Sequence, residues 1–516
     1  VPDFVSTLAT HLPEISAAGI RVVANAGGVN VQGCADAVRA AVSQAGLSLT
    51  VVAVEGDDLM DRLDRLDGKA DMFSGEAFPN PDHIVSANAY LGAFPIADAL
   101  SEGADIVVTG RVVDSAVTLG PLIHEFGWGA DDLDRLAGGS LAGHLLECGP
   151  QVTGGNFTDW RDVPDLAGIG YPIAEVTEDG ACTITKPAGT GGVVNRGTVA
   201  EQMLYEIGDP AEYFLPDVVC DFTQVVIEET GPNRVHVSGA RGRGRPGAYK
   251  ASVTVADGFR LSALFFMVGP DAEDKARTVF DAVMTRARAK LSAMGLPDYT
   301  HTAFEPTGTD FHFGGHGRSD DALEIAFRLC VRHPDAEACA LVLREASGFG
   351  LATPPGLFLF SGARPRPQPV VRLMSTLIDK VALSVPALPA IALSHVSRET
   401  PAAPGPTDTS VPLSRLAWLR SGDKGDHANI GVAARKPEFM PYIWSAVTEA
   451  AVQERFAHLA EGEVTRWYLP GSQSMNLLME RALGGGGMAS LRNDAQGKGF
   501  GQVLSIMPIP VPASLL

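Results

Sequence analysis

The stretch Asp105-Ile106-Val107-Val108-Thr109-Gly110-Arg111-Val112-Val113-Asp114 decides the fold. Uninterrupted β-branched residues after Asp105 predict a strand buried on both faces. The switch to Thr109-Gly110-Arg111 marks where that strand ends. Two earlier stretches repeat the pattern. Arg21-Val22-Val23-Ala24 runs into Asn25-Ala26-Gly27-Gly28 and then a helical segment over 34–44. Residues 49–54 run into Glu55-Gly56-Asp57-Asp58. Apolar strands alternating with helices predict βαβ units, hence an α/β fold whose parallel sheet is covered on both faces. Ligands of such sheets bind at the carboxyl edge, where all three polar clusters fall.

Outward from this core the pattern changes near residue 180. Strands are expected at 182–186, 218–227, 234–237, 250–255 and 260–267, with a long helix over 271–294. Turn residues between the shorter strands predict a mixed or antiparallel second lobe within a main domain of residues 1–398. A last strand region is read over 381–395, then a proline-rich linker over 399–411. Residues 412–516 read as a small α/β sandwich of ferredoxin type. Its strands are expected at 416–419, 427–434, 464–469 and 489–492, and its helices at 441–459, 475–483 and near Gly501.

The chain has 516 residues, 61 acidic and 40 basic, for a net charge of -21. Such a surface repels a phosphate backbone, so nucleic acid is not an expected partner. From Pro412 onward there are 10 basic and 9 acidic residues, so the excess sits on the main domain and supports a division near residue 410. No apolar run reaches the roughly 20 residues of a membrane-spanning helix, and no signal sequence is read, which predicts a cytoplasmic protein. The six cysteines form no CxxC pair, as expected of reduced thiols. Homo-oligomerisation is expected from size and class.

At the carboxyl edge, Asn25, Gly27, Gly28 and Asn88 are candidate ligand-binding residues, and Arg111 could clamp a carboxylate in bidentate fashion. Asp114 could serve as a general base. Glu55, Asp57 and Asp58 could hold a divalent cation through oxygen, although all but Glu55 equally suit helix capping. His144 and Glu147 are three apart on an expected helix, so one histidine is oriented by one carboxylate, or both ligate a metal. Cys148 adds a thiol whose reactivity the sequence leaves open. Lys186-Pro187-Ala188-Gly189-Thr190-Gly191-Gly192 offers a lysine, a hydroxyl and free backbone to an anion such as a CoA phosphate, or is simply a tight turn. Arg241-Gly242-Arg243-Gly244-Arg245 is either a phosphate contact or a solvated loop. His312 and His316 have ligand-like spacing on a glycine loop. Neither a GxGxxG fingerprint nor a GxSxG elbow is present, so NAD, flavin and serine-hydrolase chemistry have no motif here.

Several runs together carry a family resemblance: Ala87-Asn88-Ala89-Tyr90-Leu91-Gly92, Thr109 to Asp114, His124-Glu125-Phe126-Gly127-Trp128, Gly143 to Cys148, Tyr171-Pro172-Ile173-Ala174-Glu175 and Lys186 to Gly192. In the tail, Arg420-Ser421-Gly422-Asp423-Lys424-Gly425-Asp426 and Gly484 to Gly487 join them. The chain thereby resembles the acyclic terpene utilisation (AtuA) family with its ferredoxin-fold extension. The resemblance implies that a further glycine-rich segment precedes residue 1. It also implies a role in breaking down branched or isoprenoid compounds as CoA thioesters. Two functions follow as expectations: a lyase or hydratase-type enzyme on an acyl-CoA, or an assembly partner of a biotin-dependent acyl-CoA carboxylase.

Overall fold

The structure, a computed structural model, describes residues 2–317, 322–359, 364–383 and 388–516. Four strands open the chain: β1 (Val22–Ala24), β2 (Val51–Val54), β3 (Ile84–Ala89) and β4 (Ile106–Thr109). Three of them form the expected parallel sheet in the order β1-β4-β2. The central strand β4 is buried at every position. Because side chains alternate along a strand, Ile106 and Val108 pack on helices α1 (Pro2–Ala18) and α2 (Val31–Gln44). Val107 points the other way, into a core shared with α3 (Phe94–Ser101), α4 (Ala116–Phe126) and α5 (Leu133–Glu147). Two-sided burial is why this strand reads as an unbroken apolar run.

The second lobe is antiparallel. Ile173–Val176, Cys182–Thr185, Arg234–Ser238 and Val226–Gly231 form one sheet, so the change of pattern begins a few residues before 180. The strands expected at 250–255 and 260–267 are one strand, Ala248–Val268, which continues through an irregularity between Ala256 and Phe259. β3 pairs antiparallel with its first half. Its second half starts a βαββαβ unit: helix Ala272–Ala293, strands His301–Thr307 and Glu324–His333, helix Ala336–Phe349 and strand Leu357–Leu359. The strands lie in the order second-third-first-fourth, all antiparallel, over their own core. The βαββαβ strand order of a ferredoxin-type unit therefore occurs in the middle of the chain.

Among the described residues of 381–395, where a strand is expected, no strand forms. Lys380–Ala382 is a 3-10 turn, 384–387 lie outside the described residues, and beyond them only Ile391 bridges Arg245. Pro389 has no N–H for a ladder.

In the carboxyl-terminal domain, Ala417–Lys424, His427–Ala434, Val464–Leu469 and Ser474–Met479 form an antiparallel sheet in the order first-second-fourth-third. A ribbon of Thr409–Pro412 and Pro508–Val511 closes it, so the domain begins inside the expected linker. The helix expected at 475–483 is in fact strand Ser474–Met479, since Leu and Met there fill a sheet position between two partners. The strand expected at 489–492 is replaced by the short helix Gly486–Ala489 and an irregular end. The single helix expected over 441–459 is broken at Val447, and Thr448 caps the second piece by accepting from Ala451 N.

Strand His427–Ala434 is buried at all eight positions. Ala428, Ile430, Val432 and Ala434 enter the domain's own core. The alternate residues face the main domain: Asn429 donates to the Leu204 carbonyl at 2.7 Å, at the end of helix α6 (Arg196–Leu204). Gly431 is pressed so closely on Leu204 that a Cβ would lie 2.3 Å from its Cβ. The two domains thus share a closely packed, hydrogen-bonded face.

Candidate functional site

The sheet's carboxyl edge is held together by Asp57. Its buried Oδ2 accepts from Asn88 Nδ2 at 2.9 Å and from Arg111 N at 2.8 Å. Burial raises its pKa against those hydrogen bonds. Gly27 donates to the Thr109 carbonyl at 3.1 Å, so close that a side chain has no room. The Asn25-to-Gly28 turn is thereby set beside the Thr109-to-Asp114 loop, and Asn25 Nδ2 reaches Asp114 Oδ1 at 3.4 Å. Gly28, at φ +54, completes the turn before Asn30 caps α2.

The expected cation cage is not formed. Glu55 accepts from Gln32, Asp57 is the clamp just described, and Asp58 caps the turn at Met60. Among the described residues no group of three or more His, Cys, Asp or Glu side chains is arranged to hold a metal ion. The capping alternative applies to Asp58. Asn88, like Asp57, serves the clamp.

Arg111, Asp114, His144 and Glu147 do come together. Helix α5 delivers His144, fully buried, with Nε2 3.2 Å from the Met203 carbonyl and Nδ1 3.0 Å from Glu147 Oε1. A carbonyl only accepts, so Nε2 carries a proton and Nδ1 faces the carboxylate. Burial works against the imidazolium, but the Glu147 charge and hydrogen bond prevail, leaving the pKa raised. Glu147, half-buried, thereby presents its carboxyl toward Asp114. Asp114 keeps contact with solvent, but its crowded recess and the Glu147 charge raise its pKa against the pull of Arg111 and Lys424.

The remaining walls come from residues outside the ligand-binding and catalytic candidates read from the sequence. Lys424, in the turn of the carboxyl-terminal domain, donates to the Glu206 carbonyl at 3.1 Å and lies 5.2 Å from the Tyr213 ring centre. Desolvation lowers its pKa despite Glu206, Glu147, Asp114 and Asp423 around it. Gly425 has φ +69, a conformation that side chains resist. Lys250, on the long strand, lies 5.5 Å from the Phe73 ring and 5.4 Å from the Tyr90 ring. Arg111 lies 5.1 Å from that same Tyr90 ring. Glu206 sits at φ +55, a strained backbone for a non-glycine residue, and its side chain pairs with Lys498 at 2.9 Å. An adjoining cleft of about 470 Å³ between the domains is lined by Phe73, Arg372, Asp423, His427 and Arg481. The signal for Lys424 lay in the dense Ser421-to-Asp426 run. That for Lys250 is only an inward-facing lysine on a strand.

Other expected residues are engaged elsewhere. In the glycine loop, Lys186 Nζ donates to the Thr190 carbonyl at 2.6 Å, and Thr190 Oγ1 to the Pro187 carbonyl at 2.7 Å. Gly189 and Gly192 have φ +79 and +85, and Gly191 donates to Gly168 at 2.8 Å. These contacts give the tight turn its reason. The basic run is not a solvated loop, since Arg243 and Arg245 are buried and hold main-chain carbonyls, while Arg241 pairs with Asp134. His312 accepts through its carbonyl from His458, and His124 sits with Arg21 at the amino edge of the sheet. Burial raises the pKa of Cys148, which disfavours a thiolate nucleophile.

Residues 1–387 match the acyclic terpene utilisation family protein AtuA. The chain belongs to that family. Residues 411–510 match the AtuA ferredoxin-like domain, the module that brings Lys424 to the site of this AtuA protein. Curated proteins and solved structures give no match. Membership connects the AtuA chain to acyclic terpene utilisation. Among the described residues no helix is long and apolar enough to cross a membrane.

Proposed function

We propose that this AtuA protein is a lyase or hydratase-type enzyme acting on a branched or isoprenoid acyl-CoA. The observation that carries this reading is the recess where Asp114 and the His144-supported Glu147 face Lys424 and Arg111. Proton transfer next to a carbonyl needs a carboxyl group whose pKa is drawn toward neutrality, and crowding does this for Asp114. Negative charge developing on a thioester oxygen needs fixed cations beside it, which Arg111 and Lys424 provide. Asp114 moves the proton, Glu147 holds the opposing charge, and the adjoining cleft receives the acyl chain or the CoA arm.

The test is thermal unfolding with a panel of acyl-CoA thioesters, with and without Mg²⁺. A ligand at a hundredfold its dissociation constant adds about 2.7 kcal/mol to a native state that alone binds it. A shift with branched or isoprenoid thioesters, lost in Arg111→Ala and followed by turnover that Asp114→Asn abolishes, is the expected result. No shift with any thioester in folded protein overturns the reading and favours an assembly role beside a biotin-dependent carboxylase.

A further inference from the structure

Lys250 has surroundings unlike those of the other site cations. Lys424 and Arg111 have carboxylates nearby, and Lys498 pairs with Glu206 and Asp423. Among the described residues no hydrogen bond or ion pair engages the Lys250 ammonium. It faces two aromatic rings, Phe73 and Tyr90. Strand pairing fixes its position, since Tyr90 N donates to the Lys250 carbonyl at 2.8 Å and Ala89 opposes Ala251. The charged groups that bear on it are Lys424, Asp71 and Arg111, two of them like-charged. With no such hydrogen bond or ion pair, largely desolvated and beside two cations, this amine gives up its proton more readily than a surface lysine, against the pull of the two ring faces.

We propose that Lys250 is an amine nucleophile that forms an imine with a ketone carbonyl lying β to a carboxylate or thioester in the substrate. This deepens the lyase reading and rests on it. The Lys250 nitrogen lone pair attacks the ketone carbon, forming the C–N bond. The oxygen leaves as water, with one proton from the amine and one from Asp114. In a β-keto acid, the bond between the α-carbon and the carboxyl carbon then breaks. Its electron pair enters the iminium to give an enamine, and carbon dioxide departs. A proton taken up from solvent adds to the α-carbon, and water then adds to the iminium, releasing the ketone and the amine and returning a proton to Asp114, so the water released is consumed again. Arg111 and Lys424 hold the anionic end of the substrate. Desolvation and the Lys424 charge lower the Lys250 pKa to about 8, consistent with a free amine being available.

The test combines two measurements on the full chain. Acetoacetate and acetoacetyl-CoA are each added with sodium borohydride, and the intact mass and the modified peptide are read. One reduced adduct on Lys250, absent in Lys250→Met, is expected. Independently, trace acetylation of the unaltered protein across pH 6–11 reads each lysine. Lys250 is expected to reach half-reactivity near pH 8, well below the surface lysines. No adduct, an adduct of equal yield in Lys250→Met, or titration of Lys250 together with the surface lysines overturns the proposal. A thermal shift with a thioester but no adduct removes the amine and leaves the acyl-CoA reading standing. An adduct with no thioester-induced shift retains the amine and removes the acyl-CoA reading.

Discussion

Replacing Arg420 by Met should loosen the carboxyl-terminal domain from the main domain far more than replacing Arg420 and Glu201 together. Arg420 Nη2 lies 2.9 Å from Glu201 Oε2, with side-chain exposures of 6% and 1%. The same guanidinium donates to Gln151 Oε1 at 2.9 Å and to the Gly155 carbonyl at 3.0 Å. Glu201 Oε1 accepts from Thr158 N at 3.0 Å. Burial pushes the Glu201 pKa up to about 7 even with the arginine in place, so the carboxylate depends on its partner. Arg420→Met therefore strands the buried Glu201 carboxylate and the Gly155 carbonyl, while Gln151 Oε1 keeps its donor Asn156. Breaking such a pair from one side costs about 3–5 kcal/mol. Adding Glu201→Gln removes the charge but keeps an acceptor for Thr158, so the double variant should recover about 2 kcal/mol or more of that loss. The assay is urea unfolding followed by tryptophan fluorescence. Trp418 reports on the joint, since its indole donates to Asp159 at 2.8 Å across the domain boundary. A loss below about 1 kcal/mol in the single variant, or no recovery in the double, would refute the reasoning.

Three further outcomes are expected. The Asp159 carboxyl is held below the usual range by hydrogen bonds from Arg435 and then from Trp418. Its contribution is therefore present above the ordinary carboxylate pKa of about 3.9 and is lost as pH falls below it. Asp159→Asn should flatten that part of the acid limb of stability against pH, and an unchanged limb would count against the linkage. Gly143→Ala would place a Cβ 2.7 Å from the Ser115 backbone, forcing α5 off the turn that carries Asp114. We expect about 1–3 kcal/mol of destabilisation in chemical unfolding together with weakened ligand-induced stabilisation, and the absence of both changes would disprove that close packing. Five of the six free cysteines are buried and the sixth, Cys148, has a raised pKa. Native protein at pH 8 should accordingly take up at most one iodoacetamide, and slowly, as counted by intact mass; rapid alkylation would contradict the burial.

The parts of the fold legible in sequence are those decided by local pattern. β4 and its neighbours were readable because two-sided burial leaves an unbroken apolar run, and helix Ala272–Ala293 because its apolar residues recur at helical spacing. Ser474–Met479 was misread because Leu and Met favour a helix unless the flanking strands demand a sheet, and that demand is tertiary. The same limit applies to the site. Arg111, Asp114, His144 and Glu147 lie close in sequence to strand and helix ends, where polar residues stand out. Lys250 and Lys424 are remote from them in sequence; strand pairing within the main domain brings up the first, and domain docking the second. Asp57 looked like a metal ligand because a carboxylate in a glycine turn suits a cation and a backbone clamp equally well.

The joining segment has a consequence for how this site is assembled. Residues 400–408 carry neither helix nor strand, yet they tie Lys424 to the recess that holds Asp114 and Glu147. A short tether of this kind presents one module to the other at an effective concentration on the order of millimolar. The composite site therefore forms to an extent that does not depend on the cellular abundance of the protein. Were the two modules made as separate polypeptides, occupancy would vary with expression level, and dilution alone would silence the chemistry.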